Sequence, residues 1–223
     1  MKPRQLALAG SLWIAGALVY LLAEAVSASA FPGYSYATNY ISDLGVPDVG
    51  TFQGRPIDSP LHALMNTAFV ANGLLFLAAS VIAVRVVARG PRRTLLALSI
   101  VFAAGIVMVG LVPGSPTNLA NGLIALHGLG AAMAIIAGNL AALVGGVVAR
   151  RNGLPRASAP VSTVLGVVGL IGLVLLLVDS GSTAIDLLPD GVWERIAVYA
   201  IIVWQLVTGV VLLRGRRAPT ADA

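Results

Sequence analysis

The chain alternates long apolar blocks with short polar segments. Six blocks approach or exceed the roughly 20 residues that a helix needs to cross a hydrocarbon core of about 30 Å. They cover residues 6–27, 61–84, 95–112, 122–148, 161–178 and 193–213. Because backbone polar groups in a bilayer must be satisfied within the segment, each block is predicted to be an α-helix. The pattern therefore predicts an all-α, polytopic bundle of six transmembrane helices.

Composition agrees with a single membrane domain. Hydrophobic residues make up 58% of the chain and charged residues 10%, whereas soluble domains have roughly 45–50% and about 25%. The predicted membrane domain covers residues 1–217, and residues 218–223 form a short polar tail. The net charge of +5 would suggest nucleic acid in a soluble protein, but the arginines flank apolar blocks, so the lipid bilayer is the expected partner and nucleic acid is not. The chain has no Cys, which excludes disulfides and thiolate chemistry.

Basic residues predict the orientation. Only Arg55 and Arg195 lie on the side that carries the longest loop. Twelve lie on the other side: Lys2, Arg4, Arg85, Arg89, Arg92, Arg93, Arg150, Arg151, Arg156, Arg214, Arg216 and Arg217. The positive-inside rule then places both termini in the cytoplasm. Since the preference for Arg over Lys suits a high-GC bacterial genome, the predicted location is the bacterial cytoplasmic membrane.

The first apolar block has two interpretations. Lys2 and Arg4, an apolar run and then residues 28–30 (Ala-Ser-Ala) also have the layout of a cleaved signal peptide. The block is longer than the usual apolar region of about 7–15 residues, and Glu24 would be unusual there. We expect a retained helix; cleavage would leave five helices with the same loop orientation.

The loop over residues 29–60 is the longest, and loops of this length are often functional. Tyr34, Tyr36 and Tyr40 suit an interfacial aromatic belt. Because Tyr40, Ile41 and Leu44 lie at helical spacing, the loop is also predicted to contain a short helix on the membrane surface.

Two segments resemble a known family. Residues 34–45 (Tyr-Ser-Tyr-Ala-Thr-Asn-Tyr-Ile-Ser-Asp-Leu-Gly) form one, and residues 109–113 (Val-Gly-Leu-Val-Pro) with 126–131 (Leu-His-Gly-Leu-Gly-Ala) form the other. Together they resemble the signature of the bacterial domain-of-unknown-function family 998, and the order of elements matches over almost the whole chain. The resemblance implies a six-helix bundle and no particular activity.

Polar residues at the outer ends of the apolar blocks predict a pocket in the outer leaflet. Ionisable groups in membrane helices are costly, so each is a functional hypothesis. A weak internal repeat with an offset of 65 residues aligns His62 with His127 and puts Glu194 in the corresponding position of the last block. The candidate pocket consists of Glu24, Asn39, Ser42, Asp43, His62, Asn66, His127 and Glu194.

Two interpretations of these residues involve no catalysis. In the leading one, the Tyr-rich loop covers the outer rim and the polar residues bind a lipid, a small molecule or a partner. In the other they are structural: Asp43 caps a short helix or pairs with Arg55, Ser42 and His62 serve as caps, and Glu24 bonds to a neighbour.

Two further interpretations need a cofactor. His62 and His127, with one nearby carboxylate from Glu24, Asp43 or Glu194, could bind a divalent metal such as Zn²⁺ and hydrolyse a lipid at the outer leaflet. The two His could instead ligate a haem. A Ser42-Asp43-His62 triad is disfavoured because nothing like Gly-x-Ser-x-Gly surrounds Ser42.

Small and amide residues elsewhere predict helix packing. Glycines on helix faces, among them Gly128, Gly130 and Gly138, are expected to allow close contact between helices. No charge occupies the middle of a block, which argues against an ion-coupled transporter.

Overall fold

The computed structural model describes residues 3–182 and 187–214. In these ranges six helices are long and apolar enough to cross a membrane, which confirms the predicted all-α polytopic fold. They are α1 (Pro3–Ala30), α2 (His62–Val86), α3 (Arg92–Leu111), α5 (Ile124–Arg151), α6 (Ser158–Ser180) and α7 (Asp190–Arg214). Short elements lie between them: a 3₁₀ helix (Ile41–Gly45), strands β1 (Gly50–Phe52) and β2 (Arg55–Ile57), and α4 (Pro116–Ala120).

The six long helices form a closed ring. Each packs against the next in the order α1, α2, α3, α5, α6 and α7, and α7 packs back against α1. Successive helices run antiparallel, and all the described basic residues except Arg55 and Arg195 lie at one end. We call this the arginine end. The opposite end, formed by residues 31–61, 112–123, 181–182 and 187–189, is the long-loop end.

Aromatic and small residues fill the centre of the ring. Trp13 of α1, Phe76 of α2 and Trp204 of α7 are buried and contact one another edge-on or tilted. Between α3 and α5 the contact depends on two facing glycines, since a Cβ on Gly105 would lie 2.6 Å from the Gly130 carbonyl oxygen. Small residues let backbones approach where no hydrophobic force draws helices together, so the predicted role of Gly130 in packing is confirmed.

Buried amides join helices at mid-depth. Asn72 Nδ2 donates to Gln205 Oε1 at 3.1 Å, which links α2 to α7. Asn139 Nδ2 donates to the Ala197 carbonyl at 3.0 Å, which links α5 to α7. These contacts fit the role of interhelical hydrogen bonds in membranes.

The 3₁₀ helix lies where the sequence predicted a short surface helix, but it does not lie on the surface. Ile41 and Leu44 are 1% and 0% exposed and belong to the main apolar core. Their apolar side chains gain more from packing against α1 and α2 than they would at the water interface. The prediction of a short helix is right, and its surface position is wrong.

A tight hairpin follows the 3₁₀ helix. Strands β1 and β2 pair antiparallel with Phe52 opposite Arg55. The two connecting residues, Gln53 and Gly54, have φ of 49° and 77°, as a type I′ turn requires. The turn directs Arg55 back towards the 3₁₀ helix, where it pairs with Asp43.

Candidate functional site at the long-loop end

Arg195 is the centre of a buried polar network. It lies in the second turn of α7 and is 7% exposed. Its Nη1 donates to the carbonyl oxygens of Tyr36, Asn39 and Gly191 at 2.6, 2.9 and 3.0 Å. Its Nη2 donates to the Tyr34 hydroxyl. One side chain of α7 therefore binds the long loop at Tyr34, Tyr36 and Asn39.

The same guanidinium forms an ion pair with α1. Arg195 Nη2 lies 3.2 Å from Glu24 Oε1, and Glu24 is 1% exposed. The Tyr199 hydroxyl donates to the same oxygen at 2.9 Å. Glu24 is thus hydrogen-bonded to neighbours, as in the structural interpretation, and it links α1 to α7.

A second ion pair holds the 3₁₀ helix to the hairpin. Arg55 donates to both carboxylate oxygens of Asp43, from Nε at 2.8 Å and from Nη2 at 3.2 Å. Asp43 Oδ2 also accepts from the Tyr40 backbone N–H at 3.0 Å and from Asn39 Nδ2 at 3.2 Å. Asp43 therefore caps the helix and pairs with Arg55, so both structural roles are present together. Burial lowers the pKa of Arg55, but the Asp43 carboxylate together with Tyr40 and Asp190 outweighs this, and the net pKa is raised.

The three loop tyrosines contact the two arginines and Asp190, although Tyr36 is also 46% exposed. The Arg55 guanidinium lies 4.3 Å from the Tyr40 ring centroid, and that of Arg195 lies 4.8 Å from the Tyr36 ring centroid. The Tyr40 hydroxyl donates to Asp190 Oδ2 at 2.7 Å. Burial raises the pKa of the Tyr40 phenol and the bond to Asp190 raises it further, so the hydroxyl keeps its proton. Burial also raises the pKa of Tyr34, against the opposing effect of Arg195.

Glu194 faces a different direction from its neighbour Arg195. Its Oε2 accepts from the Ile41 backbone N–H at the start of the 3₁₀ helix. Consecutive residues of a helix project about 100° apart, so Arg195 enters the polar network while Glu194 lines the spaces described next.

A half-open groove of about 330 Å³ lies at the long-loop end between α5 and α6. We call it the lateral groove. Its α6 side and outer rim are apolar, and Ile136 and Leu177 there are 43% and 64% exposed. Its floor is polar. The groove is lined by Tyr40, Ser42, Asp43, Phe52, Gln53, Arg55, Gly114, Ile124, His127, Gly128, Ala131, Ala132, Ile135, Ile136, Leu173, Leu176, Leu177 and Glu194.

A smaller, mainly apolar cavity of about 60 Å³ continues from the groove towards the ring centre. Five residues line both spaces: Ser42, His127, Ala131, Ile135 and Glu194. The inner side of the cavity is formed by core residues such as Phe102 and Ile201. The structure therefore brings Ser42, His127 and Glu194 to one shared wall.

The His127 ring is held in one orientation. Its Nδ1 lies 2.8 Å from the Val112 carbonyl oxygen. Because a carbonyl only accepts, Nδ1 carries the hydrogen and Nε2 presents a lone pair in the neutral ring. Gly114 faces this edge, and a Cβ there would lie 3.0 Å from Nε2.

His62 and Asn66 of the predicted pocket serve the loop instead. His62 Nδ1 lies 3.0 Å from the Ser59 carbonyl oxygen, and His62 does not line the lateral groove or the smaller cavity. Asn66 Nδ2 donates to the Gly45 carbonyl at 2.8 Å, at the end of the 3₁₀ helix. His62 and His127 therefore line no common space in these two cavities.

The donor set does not fit a metal centre. Across residues 3–182 and 187–214, no three His, Asp or Glu side chains are grouped so that they could hold a metal ion. Glu24 and Asp43 are each bound to an arginine, whereas a catalytic zinc needs about three ligands of its own. The geometry offers no support for the metal or haem interpretation.

The family comparison agrees with this architecture. A family model described as "Protein of unknown function (DUF998)" matches residues 14–211, from α1 to α7. The chain belongs to DUF998. Searches among curated proteins and among solved structures found no match.

Both segments that resemble DUF998 have a structural explanation. In the first, Asn39 and Asp43 join the 3₁₀ helix to Arg195 and Arg55. In the second segment, the Val112 carbonyl accepts from His127, so residues 109–113 and residues 126–131 contact each other. The resemblance therefore falls on residues that build the long-loop end.

Sequence reasoning missed Arg195, Tyr199 and Asp190 as members of this site. A signal for Arg195 was present, because it is a charged residue within an apolar block and lies opposite the side that carries the other basic residues. Tyr199 lies one turn further along α7 than Arg195, on the same face. Nothing in the local sequence distinguished it from other aromatic residues.

Proposed function

We propose that this DUF998 protein binds one membrane amphiphile, a lipid or a lipid-like small molecule, in the lateral groove without catalysing a reaction. The acyl chain lies along the exposed apolar faces of α5 and α6, and the head group lies on the polar floor. The observation that carries the proposal is the combination, in one groove, of a rim exposed to lipid and a floor formed by Arg55, His127 and Glu194.

The size and position of the groove support this ligand class. Its volume of about 330 Å³ falls at the lower end of the range for ligand sites, about 300–1,000 Å³. The α6 helix is the least enclosed of the six, since only 22% of its most apolar stretch is buried. An amphiphile can therefore enter sideways from the bilayer without crossing the polar network.

The alternative of a metal-dependent hydrolase has no comparable observation in its favour. His127 and Glu194 line the groove, but the described ranges provide no third ligand in a group with them. Ser42 also lines the groove, while its neighbour Asp43 is engaged with Arg55. A polar wall that recognises a head group accounts for these residues without a reaction.

Filling the groove should abolish amphiphile binding. Gly128 lines the groove, and a Cβ there would meet no atom within 4 Å, so Gly128→Trp adds a large side chain without disturbing the helix contacts. We expect native mass spectrometry, after exposure to a total lipid extract and detergent exchange, to show one retained lipid on the wild type and at least about tenfold lower occupancy on the variant, since a steric block costs more than 1.4 kcal/mol.

The matched control is Leu129→Trp. Leu129 is the next residue of α5, is 52% exposed and does not line the groove. It should retain lipid as the wild type does. Equal retention by Gly128→Trp and Leu129→Trp, or no retained lipid on the wild type, would contradict the proposal.

We also infer that the long-loop end faces the outside of a bacterial cytoplasmic membrane, from the excess of basic residues at the arginine end. The chain lacks Cys, so single-cysteine variants can be labelled without first replacing native cysteines. Thr51→Cys in β1 and Ala88→Cys before α3 are both at exposed positions. A membrane-impermeant maleimide should label Thr51→Cys in intact cells and Ala88→Cys only after permeabilisation, and the reverse pattern would refute the orientation.

A further inference from the structure

We propose that the head group recognised by the lateral groove is a protonated amine. This inference rests on the proposed function and specifies its ligand class. The groove wall presents hydrogen-bond acceptors and the Glu194 carboxyl, which has no arginine partner within 4 Å among the described residues, and an ammonium group on an alkyl chain complements both.

The acceptors come from three side chains. His127 presents the lone pair of Nε2, because its Nδ1 hydrogen is used by the Val112 carbonyl. Glu194 contributes a carboxylate, of which Oε2 accepts from the Ile41 N–H. The Ser42 hydroxyl can accept from a ligand as well as donate. All three line the groove and the cavity behind it. An ammonium group has three N–H donors to match them.

The acidic group available to a ligand in the groove is the carboxyl of Glu194. Arg55 lines the groove, but Asp43 binds it through two nitrogens, and Arg195 is paired with Glu24. In the described part of the chain, no basic side chain lies within ion-pair distance of Glu194. In a site of low dielectric, a cation beside this carboxyl stabilises its ionised form and an anion destabilises it, so a cationic head group is favoured over an anionic one.

Arg55 does not make the groove a phosphate or carboxylate site. Beyond its two bonds to Asp43, its guanidinium stacks over the Tyr40 ring at 4.3 Å. An anionic head group bound to the remaining N–H groups of Arg55 would lie beside the Asp43 carboxylate and be repelled by it. An ammonium at Glu194 meets no such like charge.

The test compares head groups on one alkyl chain. Protein in phosphatidylcholine nanodiscs is exposed to equal mole fractions of hexadecylamine, hexadecanol or hexadecanoic acid, and occupancy is measured by native mass spectrometry. The wild type should bind the amine at least about tenfold more tightly than the alcohol, because a hydrogen bond to a charged group is stronger than one between neutral groups. It should bind the acid least.

Glu194→Gln isolates the charge. The amide oxygen of Gln can still accept from the Ile41 N–H, so the fold is kept while the negative charge is removed. We expect the preference for the amine over the alcohol to fall about tenfold. The control is Asp58→Asn, which removes a carboxylate at the same end but outside the groove, and it should keep the wild-type preference.

The outcomes separate this inference from the proposed function. If alcohol and amine bind equally and Gly128→Trp blocks both, the groove binds amphiphiles but the amine inference is wrong. If Glu194→Gln keeps the wild-type preference, the assignment of that preference to Glu194 is wrong. If no probe binds in a manner that Gly128→Trp reduces, the proposed function itself fails.

Discussion

Replacing Arg195 with Leu is expected to destabilise the folded bundle by about 3–5 kcal/mol, the usual cost of removing one partner of a buried ion pair. The substitution leaves Glu24, at 1% exposure, without its cation. It also removes the donor that binds the carbonyls of Tyr36, Asn39 and Gly191. Helices α1 and α7 and the long loop lose their common anchor.

The loss of stability in Arg195→Leu should come mainly from the Glu24 carboxylate, which is left buried without a partner. Glu24 Oε2 and Arg195 Nε have no hydrogen-bond partner in the described ranges, so the pair is incompletely satisfied and contributes little net stability. Both partners of such a buried ion pair can often be replaced together at small cost, whereas removing only one partner is strongly destabilising. We therefore expect the double variant Arg195→Leu with Glu24→Gln to lose about 1–3 kcal/mol less free energy of unfolding than the two single variants lose together. A coupling of this size is typical of residues in contact.

The measurement is the free energy of unfolding in mixed micelles for the wild type, both single variants and the double variant. Arg93→Leu is the control for the loss of one arginine, because Arg93 is exposed at the arginine end; it should change stability by less than about 0.5 kcal/mol. If Arg195→Leu is as stable as Arg93→Leu, the network does not anchor the bundle. If the two single losses add, the charges are not coupled.

The helices could be predicted from the sequence because bilayer thickness fixes their length. The structure extends every apolar block by two or three residues at one end at least: the block at 161–178 becomes Ser158–Ser180, and that at 193–213 becomes Asp190–Arg214. Three helices stop one or two residues short at the other end, since α2 begins at His62, α3 ends at Leu111 and α5 begins at Ile124. Polar residues continue a helix past the hydrocarbon core, because their side chains tolerate the interface while the backbone bonds persist. Hydropathy therefore marks the membrane part of a helix and not its ends.

The site was predictable where its partners are close in sequence. Asp43 and Arg55 are separated by 12 residues, and the hairpin between them follows turn chemistry that a sequence can reveal. Arg195 lies 171 residues from Glu24, and their contact depends on α7 closing the ring against α1. Ring closure is a property of packing, for which the individual blocks carry no signal.

Glycine positions show the same limit. Gly128 and Gly130 belong to one small-residue face of α5, and the sequence predicted helix contact for both. Gly130 does contact α3, whereas Gly128 lies at the open groove with no atom near its Cβ position. Residues two apart on a helix differ in direction by about 200°. Assigning one to a contact and the other to a groove required knowing where α3 and α6 lie.

The contact between α3 and α5 gives the second large effect, and Gly105→Val should destabilise the bundle by about 3 kcal/mol, at the upper end of the cost of overpacking. A Cβ at this position would lie 2.6 Å from both the Ala134 nitrogen and the Gly130 oxygen. Both atoms belong to the backbone of α5, so no side-chain rotation can relieve the clash and the helices must separate.

Separating α3 from α5 should also alter the lateral groove. The His127 ring on α5 is held by the Val112 carbonyl at the end of α3 across 2.8 Å, so moving the helices apart should release the ring and weaken amine binding along with stability. Gly128→Val is the matched control for stability, because the same substitution there meets open space. Unfolding in mixed micelles should show the large loss for Gly105→Val and a change within about 0.5 kcal/mol for Gly128→Val. Equal losses would mean that the α3–α5 contact tolerates a side chain, and that the close approach of Gly105 to Gly130 does not position His127.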